Sequence, residues 1–184
     1  MKKVKIIAIV GSLRQDSYNR QLAIEAGKML GDSAEFEILD YSTVPLFNQD
    51  IEYPAPESVS WARKAVQSAA GVWFFTPEYN HSIPGVLKNL IDWLSRPISQ
   101  SEPQVLNGKP AAFSGIALGI SGTAIAQDQL VALISFLNMK VMNQPRLTIP
   151  TAMQQTDQNG QLALTTCAQF LEKQANAFLK FINM

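Results

Sequence analysis

The sequence has one cysteine, Cys167, and one histidine, His81, among 184 residues. A lone cysteine forms no internal disulfide and supplies no cysteine cluster for a metal. A lone histidine excludes His-pair metal sites and makes a Ser-His-Asp hydrolase hard to build around any other base. Charge of one sign is also missing: fifteen Lys and Arg offset fifteen Asp and Glu, for a formal net charge of zero. That removes the electrostatic footprint of a nucleic-acid binder. It also removes the acidic face expected of a small electron carrier that docks on larger proteins. No apolar run approaches the roughly 20 residues of a membrane span. The basic start at Lys2 and Lys3 leads into an apolar run that stops at Gly11, which reads as a buried first strand rather than a signal peptide. A cytoplasmic protein is expected.

What is present is a globular composition, 47% apolar and 16% charged, in a chain sized for one full core. Residues 1–184 are therefore expected to form one domain. No repeat, charge block or low-complexity segment marks a linker. Apolar strands over 4–10, 35–40, 72–75, 111–118 and 141–149 alternate with amphipathic helices over 17–30, 56–70, 84–96, 126–137 and 171–182. In the third helix Leu87, Leu90, Ile91 and Leu94 follow the i, i+3, i+4, i+7 rule, and Pro97 ends it. The second strand alternates Phe36 and Ile38 with Glu35 and Glu37, the pattern of a half-exposed edge. The third, Val72-Trp73-Phe74-Phe75, is apolar throughout, as a strand covered on both faces should be. Five strands interleaved with helices predict an α/β three-layer sandwich on a parallel sheet, and the edge and buried strands favour the order 2-1-3-4-5. In such a sheet ligands sit beyond the carboxyl ends of strands one and three.

The loop after strand one reads Gly11-Ser12-Leu13-Arg14-Gln15-Asp16-Ser17-Tyr18-Asn19-Arg20. It opens a helix, where free backbone N–H groups and the helix dipole favour an anion. Ser12, Ser17 and Asn19 offer neutral donors, and Arg14 a forked cation suited to a phosphate monoester. The same residues also suit a serine-capped turn beside a solvated arginine. There is no G-x-G-x-x-G and no G-x-x-x-x-G-K-[ST], so neither a Rossmann dinucleotide site nor a triphosphate cradle is expected. A single terminal phosphate, as on FMN, fits better. The loop after strand three, Thr76-Pro77-Glu78-Tyr79-Asn80-His81-Ser82-Ile83-Pro84-Gly85, lies across the switch point. A flat ring there would meet the Tyr79 face, the Asn80 amide and turn N–H groups able to stabilise negative charge on a reduced flavin. A proline-bounded turn capping the third helix explains it equally well.

Together the stretches G-S-L-R-x-x-S-x-N-R and P-E-Y-N-x-x-x-P-G-x-L-K-N-x-I-D-W-L-S-R-P resemble the NADPH-dependent FMN reductases, which include bacterial quinone, chromate and azo-dye reductases. The resemblance implies a flavodoxin-like fold, tightly bound FMN, NADPH or NADH as electron donor, a small-molecule acceptor, and a homodimer or homotetramer. It places Ser12, Arg14, Ser17 and Asn19 at the phosphate and Pro77, Glu78, Tyr79 and Asn80 beside the isoalloxazine ring. Lys88, Asn89, Asp92 and Trp93 match the helix that follows and are read as packing and subunit contacts. With Val86, Trp93 forms a second apolar face on that helix, the expected seat of an oligomer interface. The third loop departs from the family's paired glycines: it runs from Ser114 through Gly119 to Gly122-Thr123, and Ser114 and Gly119 are assigned to one side of the ring.

The expected reaction is a ping-pong electron transfer from NAD(P)H to quinones, in which the flavin does the chemistry and no catalytic residue or metal is required. The rival readings are a flavodoxin-type electron carrier serving protein partners and a flavin-binding sensor. His81 reads as an exposed loop histidine, Cys167 as a small, partly buried residue, and Trp61, Trp73 and Trp93 as core or interface aromatics. Asp40, after strand two, sits where Rossmann enzymes bind a ribose hydroxyl, without the glycine fingerprint that goes with that role.

Overall fold

The computed structural model describes residues 3–99 and 101–184. β1 (Val4–Val10) is followed by α1 (Tyr18–Leu30), β2 (Ala34–Ile38), α2 (Glu57–Ser68), β3 (Gly71–Phe75), α3 (Gly85–Leu94), β4 (Pro110–Ile116), α4 (Ala124–Phe136), β5 (Lys140–Val141), β6 (Leu147–Ile149) and α5 (Ala168–Ile182). All strand pairs are parallel, in the order β2-β1-β3-β4-β5, with β6 also on β4. This is the flavodoxin-like order, and it puts the switch point between β1 and β3.

The pleat sorts the core into two layers. Ile6, Ala8, Trp73 and Phe75 face α1 and α5, where they meet Leu22, Leu171 and Phe178. Ile7, Ile9, Val72, Phe74 and Phe113 face the other way, onto α2, α3 and α4. Burying each of the larger aliphatic and phenyl side chains contributes about 1.5–3 kcal/mol. β3 is buried at every residue while β2 is only partly covered, as a central strand and an edge strand should be. Among the described residues no helix is long and apolar enough to cross a membrane.

Two expectations are corrected. The fifth strand is not continuous over 141–149. β5 pairs with Pro110 and Ala111 and β6 with Ser114 to Ile116, and the residues between leave the ladder around Pro145, which has no N–H to contribute. Trp93 does not form a second outer face on α3. The segment between β2 and α2 folds over that helix, so the indole is fully buried; its Nε1–H donates to Pro45 O at 2.8 Å and its ring meets Phe47 edge-on at 4.9 Å. Asn89 holds the same segment, donating to Pro45 O at 2.8 Å and accepting Phe47 N–H at 2.7 Å. Asn89 and Trp93 are thus packing residues within one chain, and Lys88 pairs with Asp92 along the exposed side of α3.

Candidate functional site

Three loops leave the carboxyl ends of β1, β3 and β4 and enclose a cleft of about 640 Å³. The first is anchored at Gly11, whose N–H donates to Phe75 O at 2.8 Å. A Cβ at Gly11 would lie 3.1 Å from both Pro77 Cδ and Thr76 Oγ1, so the first and second loops approach closely here and a side chain would press the two apart by a few tenths of an ångström. The chain then turns so that Ser17 N–H reaches Arg14 O at 3.2 Å, and Ser17 becomes the N-cap residue of α1. Its hydroxyl makes no capping bond, so the first-turn N–H groups of α1 are left uncapped beside the cleft that Ser17, Tyr18 and Asn19 line. The Arg14 guanidinium sits 5.8 Å over the Tyr18 ring, a cation–π contact that steadies it at this end. Among the described residues Arg14 has no ion-pair partner.

The second loop is a tight hairpin. Tyr79 and Ser82 exchange two N–H···O bonds of 3.0 Å, and Asn80 and His81 between them take left-handed conformations (φ 51° and 56°). That is the backbone of a type I′ turn, which asparagine tolerates well. α4 holds the turn from behind: Gln129 Nε2 donates to His81 O at 2.7 Å and its Oε1 accepts the Ser82 hydroxyl at 2.7 Å. Tyr79 is left 53% exposed at the rim of the cleft.

Glu78 points the other way. Its Oε1 accepts the Ser121 hydroxyl at 2.9 Å and its Oε2 accepts Ala126 N–H at 3.0 Å. α4 needs this carboxylate, because Thr123, its own N-cap residue, is left-handed (φ 77°) and makes no side-chain cap. Burial works against the charge on Glu78, yet the Ala126 N–H and the Ser121 hydroxyl hold its carboxyl below the usual range. The nearby His81 Nδ1, 3.4 Å from Oε1, acts in the same direction. The Gly122-Thr123 kink depends on Gly115, where a Cβ would fall 2.0 Å from Thr123 Oγ1.

The assigned residues therefore divide. Ser12, Arg14 and Ser17 of the first loop, Pro77, Tyr79 and Asn80 of the second and Gly119 of the third all line the cleft. Asn19 and Glu78 also border it, but with their polar atoms engaged: the Asn19 amide donates to Ile116 O at 2.9 Å and accepts Ile116 N–H at 3.1 Å. Ser114 does not reach the cleft. It is fully buried within β4, its hydroxyl on the α5 side, accepting Trp73 Nε1–H at 2.9 Å and donating to Gln174 Oε1 at 2.6 Å. The cleft also takes in residues the sequence did not single out: Tyr18, the stretch from Ile116 to Leu118, and Ser121; His81 borders it too. Position after β4 was the available signal for the stretch from Ile116; nothing in residue type marks the others.

Residues 4–154 match the family model described as NADPH-dependent FMN reductase. A 2-hydroxy-1,4-benzoquinone reductase of Burkholderia sp is 39% identical over 169 residues, covering 92% of this chain and 91% of its own. A quinone reductase of Escherichia coli (strain K12) is 34% identical over 185 residues, covering 98% and 96%. Among solved structures, FerB of Paracoccus denitrificans, a flavoenzyme NAD(P)H:(acceptor) oxidoreductase, superposes with a TM-score of 0.87 at 33% identity, over 98% of this chain and 97% of that one.

Proposed function

This chain belongs to the NADPH-dependent FMN reductase family, and on that premise we propose that it binds FMN and carries electrons from NAD(P)H to small oxidised acceptors, quinones first. The observation that carries this is one cleft with two chemically different sets of lining residues, which we read as its two ends. A phosphate monoester fits the first end by its donor set: two hydroxyls, a guanidinium and an uncapped helix start. Among the described residues Glu78 is the only carboxylate lining the cleft, and it is turned to α4 and does not oppose an anion there. A flat ring fits the second end, between the Pro77–His81 hairpin and the stretch from Ala117 to Gly119. The volume lies within the roughly 300–1,000 Å³ usual for small-molecule sites.

In this reading Ser12, Arg14 and Ser17 hold the phosphate, and Pro77, Tyr79, Asn80 and Gly119 border the ring. Bound FMN supplies two-electron storage between nicotinamide donor and quinone acceptor. The protein's share is placement. The hairpin is fixed by its turn and by Gln129, so the ring's surroundings are rigid. The opening lies beside Tyr79 and Leu118, the latter 65% exposed. Donor and acceptor must both enter there, so they bind in turn, and the quinone takes its protons from water at the same opening. A cytoplasmic location, where NAD(P)H is at hand, and a homodimer or homotetramer complete the proposal. Exposed Val86, Ile125 and Phe136 on α3 and α4 supply apolar surface for the subunit contact.

The test is purification with added FMN, followed by NAD(P)H oxidation with benzoquinone. We expect a yellow protein, parallel double-reciprocal lines, and a particle heavier than the 20.3 kDa chain by light scattering. A protein that stays colourless overturns the cofactor; intersecting lines overturn the shared opening; a 20.3 kDa particle at micromolar concentration overturns the oligomer.

A further inference from the structure

Back to back with the cleft, on the β2 side of the first loop, lies a second recess of about 430 Å³. Ser12 and Arg14 form the wall that the two share. The opposite wall is Asp40, Tyr41 and Ser42, just past the carboxyl end of β2, and Arg20 closes the recess from the first turn of α1. Two guanidinium groups stand against one carboxylate, so the charged lining is positive by one. Among the described residues neither arginine makes an ion pair. Asp40 accepts Ser42 N–H at 3.0 Å, a bond that fixes its carboxylate at the rim. Tyr41 is tied to the end of β1, its hydroxyl donating to Val10 O, another residue of the recess lining.

A recess that shares the Ser12 and Arg14 wall with the cleft is well placed for the far end of a ligand whose reactive end enters the cleft. We infer that it receives the adenosine end of the nicotinamide donor, with the Arg20 guanidinium reading the 2′-phosphate of NADPH and the Asp40 carboxylate reading the 2′-hydroxyl of NADH. The inference rests on the reductase reading and adds the site that sets donor preference. The two residues pull in opposite directions. A phosphate next to Arg20 gains a charge-assisted pair and is repelled by Asp40, whereas a ribose hydroxyl donates to Asp40 and gains nothing from a second cation. Arg14 is shared with the cleft, so Arg20 is the cation that belongs to the recess alone.

Arg20 and Asp40 are both exposed, so Arg20→Ala and Asp40→Asn leave the core intact. Binding of 2′,5′-ADP, 5′-AMP and inorganic phosphate is measured by calorimetry, and kcat/KM for NADPH and NADH is measured with saturating quinone. We expect 2′,5′-ADP to bind the wild type, and Arg20→Ala to weaken it and lower the NADPH:NADH ratio by about tenfold, a charge-assisted contact reduced by exposure. Asp40→Asn should shift the ratio the other way. An unchanged ratio in both variants overturns the inference, as does inorganic phosphate binding as tightly as 2′,5′-ADP. Calorimetry needs no turnover, so the two readings fail separately. A protein that binds 2′,5′-ADP through Arg20 but takes up no FMN sinks the reductase reading alone. A yellow, quinone-reducing protein whose variants keep the wild-type ratio sinks only this inference.

Discussion

Arg14 and Asn19 stand five residues apart, in the first loop and the first turn of α1, and Glu78 and Tyr79 are neighbours in the second loop, yet within each pair the structure uses the two side chains differently. Arg14 and Tyr79 line the cleft, Tyr79 half exposed, and among the described residues the side chain of neither makes a hydrogen bond or an ion pair. Asn19 and Glu78 turn inward and join loops to each other, Asn19 to the end of β4 and Glu78 to the start of α4. Ser114 lies deeper still, between Trp73 and Gln174. A binding loop thus contains two populations: side chains that meet the ligand and side chains that hold the loop in place. Substitution should separate them, because the first kind changes affinity and the second changes stability.

The largest effect is expected at Asn19. Replacing it by Ala leaves the Ile116 N–H and C=O without their partner at a buried site, where each unmet backbone group costs about 1–3 kcal/mol. Chemical denaturation should show a loss of about 3 kcal/mol. Unchanged stability with a loss of FMN affinity would move Asn19 into the other population and break the comparison.

Arg14 and Tyr79 should behave oppositely to Asn19 and differently from each other. Arg14→Ala is expected to weaken FMN binding by about 1.5–3 kcal/mol, the worth of a hydrogen bond to a charged group, with little change in the stability of the FMN-free protein. Tyr79→Ala should retain FMN better and lose kcat/KM for donor or acceptor, because Tyr79 stands at the opening rather than at the phosphate end. Flavin titration by fluorescence quenching measures the first quantity and steady-state kinetics the second. Equal FMN loss in both variants would erase the division between the two ends of the cleft.

The sequence carried the frame of this site further than its details. Strand order was legible because burial writes itself into residue pattern: β3 is apolar throughout, and β2 alternates. The two loops at the switch point were legible through glycine, proline and hydroxyl spacing. The use of each polar side chain was not, because serine, asparagine and glutamate have the same chemistry facing a ligand or facing a backbone. Trp93 shows the same limit for apolar residues. The helical pattern marks a second apolar face, but whether a partner subunit or Pro45 and Phe47 of the same chain cover it is a tertiary fact. The break in the fifth strand was in principle readable, since Pro145 cannot serve in the middle of a ladder.

The smallest effect, and the most diagnostic for the third loop, is expected at Glu78. Its carboxyl is held below the usual range in the folded protein, so it binds protons more readily when unfolded. Its stabilisation is therefore complete above the unfolded value, about 4.3, and is lost as the pH falls through the lower folded value. Glu78→Gln removes the charge at the α4 N-terminus and one of the two acceptors in full, at a cost of about 1 kcal/mol near neutral pH, typical for a lost helix cap. Below the folded value the wild type carries a protonated Glu78 and the gap between the two proteins should close. Urea denaturation of both across the acid range measures that gap. A gap that stays constant with pH would mean that shape rather than charge caps α4. One that widens on acidification would contradict the lowered carboxyl, and with it the account of how the third loop is held against the cleft.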